Sequence, residues 1–287
     1  MSALASGLRR LRRSPDANQN SLLLPALVLI AVAFLYPVIA MLVRSFTTSP
    51  GGLHYYKDVF TTGGILTILG RSLMTAAIVT AVALLIGYPY AYVAATARRR
   101  RLGLALVGLA TASLFISVIV RSYAWLAILE PHGVLDDWLG HVGIRVDLAH
   151  NLAGVVIGMT QYAVPFMVLS LYDNMRRLDV RLMRAASTLG ASPTRAFLRV
   201  YLPLTLPGLV SGCVIVFITV LGYYIIPAIL GGPQNTMIGQ LIATEIQTTL
   251  NWGLGSAEGA LVLLVTLIAF TLFYRASRQT RGGRGHA

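Results

Sequence analysis

Charge is scarce in this sequence. Of its 287 residues only 11% are Asp, Glu, Lys or Arg, while 56% are hydrophobic. Soluble domains carry about 25% charged residues, so the chain lacks the polar surface that a water-soluble globule needs. Lysine is nearly missing: Lys57 stands alone and every other basic residue is Arg. No Gly-rich phosphate loop surrounds Lys57, which excludes nucleotide hydrolysis of the Walker type. Cysteine is limited to Cys213, inside an apolar run, so no disulfide can form within the chain. His54, His132, His141, His150 and His286 show no ligand-like spacing, and no serine, cysteine or carboxylate pair forms a catalytic unit. The chain is expected to be no enzyme, with no catalytic, cofactor or metal site of its own.

What the sequence does contain is long apolar runs, at 21–43, 70–97, 102–128, 152–175, 203–230 and 256–275. Each can cross a hydrocarbon core of about 30 Å at 1.5 Å per residue. Backbone polar groups in lipid must bond within their own segment, so the runs read as helices. The alternation of a membrane barrel strand is absent. An all-α membrane protein of about six transmembrane helices follows. Arg9, Arg10, Arg12 and Arg13 before the first run resemble the start of a secretion signal. The run is too long for one and lacks a cleavage site, so it reads as a retained first helix.

Net charge is +13, but its placement points to a membrane and not to nucleic acid. Arg clusters at 9–13, at 98–101, within 176–199 and at 275–284, leaving only Arg44, Lys57, Arg71, Arg121 and Arg145 elsewhere. Positive residues mark cytoplasmic loops, so both termini are expected in the cytoplasm. Asp58, Asp136, Asp137, Asp147 and Glu245 fall in the opposite loops. The chain divides into a basic tail at 1–20, one transmembrane domain at 21–275 and a second basic tail at 276–287. Of the outer segments, 129–151 contains Asp136-Asp137-Trp138-Leu139, read as a short interfacial helix, and 231–255 contains an amphipathic run from Met237 to Leu250.

The loop 178–202 is the most informative stretch. Leu178, Leu182, Ala185, Ala186 and Leu189 recur at spacings of three and four, the stripe of an amphipathic helix. Gly190 suits the left-handed residue that ends a helix; Ser192 suits an N-cap and Pro193 the first position of the next helix. That second helix runs through Phe197 to Tyr201 and enters the membrane at Leu202-Pro203. An apolar stripe on such a loop needs a surface to cover it, either a partner protein or the bilayer itself.

Ala185-Ala186-x-x-x-Gly190-Ala191, followed by Phe197 and by Leu202-Pro203-x-x-x-Pro207-Gly208, resembles the coupling loop of ABC-importer permeases. The family's leading glutamate is Arg184 here. Val120 to Trp125, Pro165-Phe166-Met167 with Leu171-Tyr172, Ile229 to Gly232, and Asn251-Trp252 before Gly255 look like the spermidine/putrescine (PotB-like) branch. The resemblance implies a type I importer fold in a bacterial inner membrane. Its partners would be two ABC ATPase subunits that use the ATP, a second permease subunit (a paralogue), an extracytoplasmic solute-binding protein and membrane lipid. It also implies that Leu182, Met183, Arg184, Ala185, Ala186, Leu189, Gly190 and Ala191 couple to the ATPase.

Polar groups at membrane depth are candidates for a substrate pathway. Arg121, Tyr123, Glu130, Gln161, Tyr162, Tyr223, Tyr224 and Glu245 make that set. Pro165 is expected to kink the fourth helix, Pro203 and Pro207 to open the fifth and Pro227 to close it. A polyamine-like solute leads amino-acid derivatives, opines, phosphonates and ferric complexes. A gradient-driven carrier would need an acid within a span, and only Glu258, near the end of one, comes close. A membrane-embedded enzyme would need a His, Asp or Glu cluster at that depth.

Overall fold

The computed structural model describes residues 15–131, 133–141, 148–179 and 181–282. Arg9, Arg10, Arg12, Arg13, Arg145, Asp147, His132, Arg284 and His286 lie outside them, as do the side chains of Arg184, Arg278 and Arg281. Thirteen α-helices are found among the described residues: α1 Pro15–Thr47, α2 His54–Thr61, α3 Gly63–Thr96, α4 Arg100–Ser113, α5 Val118–Leu129, α6 Val134–Gly140, α7 Leu152–Met175, α8 Arg181–Thr188, α9 Pro193–Ala196, α10 Leu202–Leu221, α11 Ile225–Leu230, α12 Ile238–Gln247 and α13 Trp252–Gly282. No strand occurs among the described residues. Among the described residues five segments are long and apolar enough to cross a membrane, Leu27–Thr47, Gly63–Thr96, Leu152–Met175, Pro193–Leu221 and Trp252–Arg275, and the bent pair Arg100–Ser113 with Val118–Trp138 brings them to six if it is one broken span.

The core is built by α3, α7 and α10, which pack side by side. In lipid the tails compete for apolar contact, so helices associate through close packing of small residues. On α3 the buried positions include Ser72, Ala76, Val79, Thr80, Ala83, Gly87, Ala91 and Ala94, a narrow small-residue face. Met167 of α7 is fully buried where the three helices meet. A Cβ on Gly87 would lie 2.9 Å from Met167 Cγ, and one on Gly212 of α10 2.7 Å from Met167 Sδ. Two glycines thus make room for one thioether. Gly208 lets α7 approach from the same side, and Ser170 Oγ donates to its carbonyl at 3.2 Å. Buried hydroxyls on these helices largely return to their own helix, as with Thr80 to Ala76 O and Thr205 to Leu202 O, which is how polar side chains survive in lipid.

α1 stands at the edge. It packs mainly on α13 and leaves Leu29, Phe34 and Tyr36 largely exposed. Arg44 lies 5.2 Å over the ring of Trp252, joining the two helices at one end.

Three expectations need correction. The third run is not one helix: α4 and the helical stretch that begins with α5 are bent by 92° at residues 114–117. The fifth run ends at Leu221, and Pro227 lies inside the separate helix α11, not at a terminus. Pro203 sits in the first turn of α10, but Pro207 lies within the helix. Residues 15–20 are helical and continuous with α1, and residues 276–282 with α13. α7 continues through Pro165. The short helix around Trp138 is α6, with Trp138 exposed, and the amphipathic run from Met237 contains α12. The first backbone N–H of α12, at Ile238, donates to Ser72 Oγ of α3 at 2.8 Å, so a side chain from another helix caps it.

Replacing Gly87 with Leu should overpack the Met167 junction and cost about 1–3 kcal/mol. Gly70, on the same helix with open space around its Cβ position, serves as the control. In detergent-solution thermal unfolding Gly87→Leu is expected to lower the midpoint and Gly70→Ala to leave or raise it; equal midpoints would reject this packing.

Candidate functional site

Two regions carry the candidate residues. The first is the loop at the Arg-rich end. α8 is closed by Gly190 at φ +82. Its N–H bonds Ser187 O at 3.0 Å and that of Ala191 bonds Ala186 O at 3.0 Å, the paired pattern that finishes a helix with a left-handed residue. Ser192 then caps α9 by accepting from Arg195 N, with Pro193 in the first turn. The chain continues through a π turn at Phe197–Tyr201, where Leu202 N–H reaches back to Phe197 O, and on into α10.

That π turn is seated against α3 by aromatic rings. Phe197 meets Tyr88 and Tyr92 edge-on, with centroids 6.2 and 5.7 Å apart, and Tyr201 meets Tyr92 edge-on at 5.2 Å. Such edge-to-face pairs each add about 0.5–1.5 kcal/mol beyond their buried area. Tyr88 and Thr205 hydroxyls share a hydrogen bond at 3.1 Å. α8 has no such anchorage and packs mainly on α9 and the π turn. The stripe read from the sequence is divided by the fold. Leu178 and Met183 pack toward the core, and Ala186 and Ala191 are half-buried. Leu182, Ala185, Leu189 and Gly190 face outward, Leu189 being 88% exposed. The exposed ridge is therefore Leu182–Ala185–Leu189.

The second region is the elbow between α4 and α5. The bend frees the carbonyl of Ser113, and Arg121 Nη1 donates to it at 3.1 Å. Arg121 is buried and its guanidinium lies 5.3 Å from the ring centre of Tyr162. Tyr162 in turn packs on Tyr223 at 4.7 Å. Arg121, Tyr162 and Tyr223 are thus brought together. Gln161 and Thr160 line an adjoining cleft of about 480 Å³, walled by Val82, Ile86, Leu109 and Trp125. Gln161 Oε1, Thr160 Oγ1 and Arg121 Nη2 are buried without a hydrogen-bond partner among the described residues.

The remaining candidates lie apart. Tyr123 is 58% exposed, Tyr224 is exposed, and Glu130 is exposed as the C-cap of α5. Glu130 forms no ion pair with Arg121, whose partners are a carbonyl and a ring. Glu245, on α12, is half-buried and accepts from Thr249 Oγ1 at 2.6 Å.

Sequence reasoning missed two features. Between α7 and α10 runs a cleft of about 490 Å³ in whose largely apolar wall Ser170, Asp173, Asn174 and Ser211 are set; the spacing of these residues along two helices was visible, but their facing was not. Glu258 was placed near the end of a span. It lies about two turns inside α13 and is completely buried.

Residues 87–282 match the family described as the binding-protein-dependent transport system inner membrane component. The spermidine/putrescine transport system permease protein PotB of Haemophilus influenzae is 32% identical over 260 residues, which cover 89% of this chain and 88% of that protein. Its Escherichia coli counterpart is 31% identical over 214 residues, 74% of this chain and 78% of that protein. Among solved structures, the bacterial alginate ABC transporter in complex with alginate pentasaccharide-bound periplasmic protein has a chain of similar fold. Its TM-score is 0.70 at 17% identity, over 92% of this chain and 95% of that one.

Arg121→Met should orphan the Ser113 carbonyl and remove the ring contact, at a cost of about 1–3 kcal/mol. Tyr123→Ala, at an exposed position on the same helix, is expected to cost little. Unfolding midpoints of the two purified variants check the contrast, and an unchanged Arg121→Met protein would reject the bridging role.

Proposed function

The chain belongs to the family of binding-protein-dependent transport system inner membrane components and is the membrane-spanning permease of an ATP-driven importer, and we propose that its solute is a polyamine. It is a multi-pass membrane protein, and ATP hydrolysis sits on separate subunits of such importers. The general assembly joins permease, ATPase and solute-binding protein.

One observation carries the finer reading: the exposed ridge Leu182–Ala185–Leu189 on a short helix that is finished by a left-handed glycine and followed by a π turn seated on α3 through rings. A greasy ridge on an Arg-rich loop fits a groove on an ATPase, and the seated π turn offers a rigid path from that groove to α3 and α10. Closure of the ATPases would bias the permease between two arrangements. Both termini then face the cytoplasm of a bacterium, with the protein in its inner membrane and lipid around α1. Two ATPase subunits consume the ATP, and the second permease is a paralogue. The PotB relatives support a polyamine, since each is named for spermidine and putrescine.

Gly190→Val tests the coupling. A β-branched residue at φ +82 is strained by about 1–3 kcal/mol, while space around the position is open. The variant should therefore insert and fold. ATP-driven polyamine uptake by the complete complex in proteoliposomes is expected to fall about tenfold, a shift of ~1.4 kcal/mol in the coupled equilibrium. Wild-type uptake would defeat the coupling role of this loop.

A further inference from the structure

Glu258 stands out among the buried polar groups. It is 0% exposed, and neither carboxylate oxygen has a hydrogen-bond partner. The ion pairs found among the described residues, His54–Asp58 and Arg177–Asp173, lie elsewhere, so no basic side chain answers it. Removing a charge from water costs several kcal/mol unless an opposite charge or a set of donors replaces the solvent. A chain with net charge +13 has no shortage of cations, yet none is spent here.

The surroundings favour a small cation. Glu258 lies six residues into α13, about 9 Å below its first residue at 1.5 Å per residue. Its neighbours along the helix are small: Gly255, Ser256, Ala257, Gly259 and Ala260. α12 crosses closely there, since a Cβ on Gly255 would lie 2.8 Å from Ile246 Cγ1 and 3.5 Å from Glu245 Cβ. On the other side Met41 of α1 sits 2.9 Å from the Cβ position of Gly259. Gly255 and Glu258, three residues apart, share one face of α13, and it is this face that meets Glu245. One carboxylate is thus half-open beside Thr249, and a second is enclosed one layer deeper, on a different helix.

We propose that Glu258 and Glu245 form a two-carboxylate site for the primary ammonium group of a polyamine, with Glu245 at its mouth and Glu258 at its closed end. The inference rests on the polyamine reading of the function. An ammonium is a compact point charge with three donors. Inserted between the helices it supplies the partners that the Glu258 oxygens lack, and a second ammonium on the same molecule remains for Glu245. Parting of α12 from α13 opens the site, and their present contact closes it.

The test uses the complete complex, with its partner permease, ATPase and binding protein, in proteoliposomes, and follows ATP-driven uptake of labelled putrescine and spermidine. Glu258→Gln keeps the shape and removes the charge, and Glu258→Asp keeps the charge. The yield and elution volume of the purified complex report assembly. Expected is normal assembly for both, an uptake loss of about tenfold or more for Glu258→Gln as for a lost buried charge partner, and substantial recovery in Glu258→Asp. Glu245→Gln should raise the polyamine concentration needed for half-maximal uptake. Wild-type uptake by Glu258→Gln overturns the site while leaving the polyamine reading standing. Failure of Glu258→Gln to assemble also overturns it, since the residue is then structural. A wild-type complex that carries no polyamine overturns both.

Discussion

Met167 between Gly87 and Gly212 is the contact on which the structure rests. Lipid removes most of the apolar advantage that drives helices together in water, so close approach must come from shape. Two missing side chains on α3 and α10 accept one flexible thioether from α7, which adapts to an irregular gap. With three long helices fixed in this way, everything else is an attachment: the α4–α5 elbow leans on α7, α11 on α5 and α7, and α12 hangs from α3 through Ser72.

The same core is joined to the Arg-rich loop through the π turn. α8 is poorly anchored, yet the residues that follow it are wedged among Tyr88 and Tyr92 of α3. A push on α8 therefore reaches two of the three central helices at once, α10 through the chain and α3 through rings. α12 and α13 pack on each other, with Glu245 Cβ close to Gly255, three residues before Glu258.

Much of this was readable in the sequence, and the unreadable part has a common cause. Spans and caps are local. Apolar runs fixed the long helices, and Gly190, Ser192 and Pro193 marked the loop's geometry, because each acts within a few residues of its own backbone. The elbow was not readable, since Leu114-Phe115-Ile116-Ser117 contains neither Gly nor Pro and the bend is held by Arg121 from the next helix. The stripe of α8 was correct in period, but which part of it turns outward depends on the π turn beneath. Among the pathway candidates, Arg121, Tyr162 and Tyr223 converge, whereas Glu130, Tyr123 and Tyr224 reach the surface. The burial of Glu258 was not readable from periodicity, since Met41 of α1, which packs beside the neighbouring Gly259, lies at the other end of the chain.

The π turn at Phe197–Tyr201 has a consequence for how this loop can vary. A turn wound wide carries one residue more than an α-helical turn needs. Because the wide winding takes up that residue within the turn, α10 leaves it in the phase that brings Gly208 and Gly212 against α7. A loop one residue shorter would close as an ordinary α-helical turn with nearly the same exit, so the segment is a spacer that absorbs a change of length before it reaches the core.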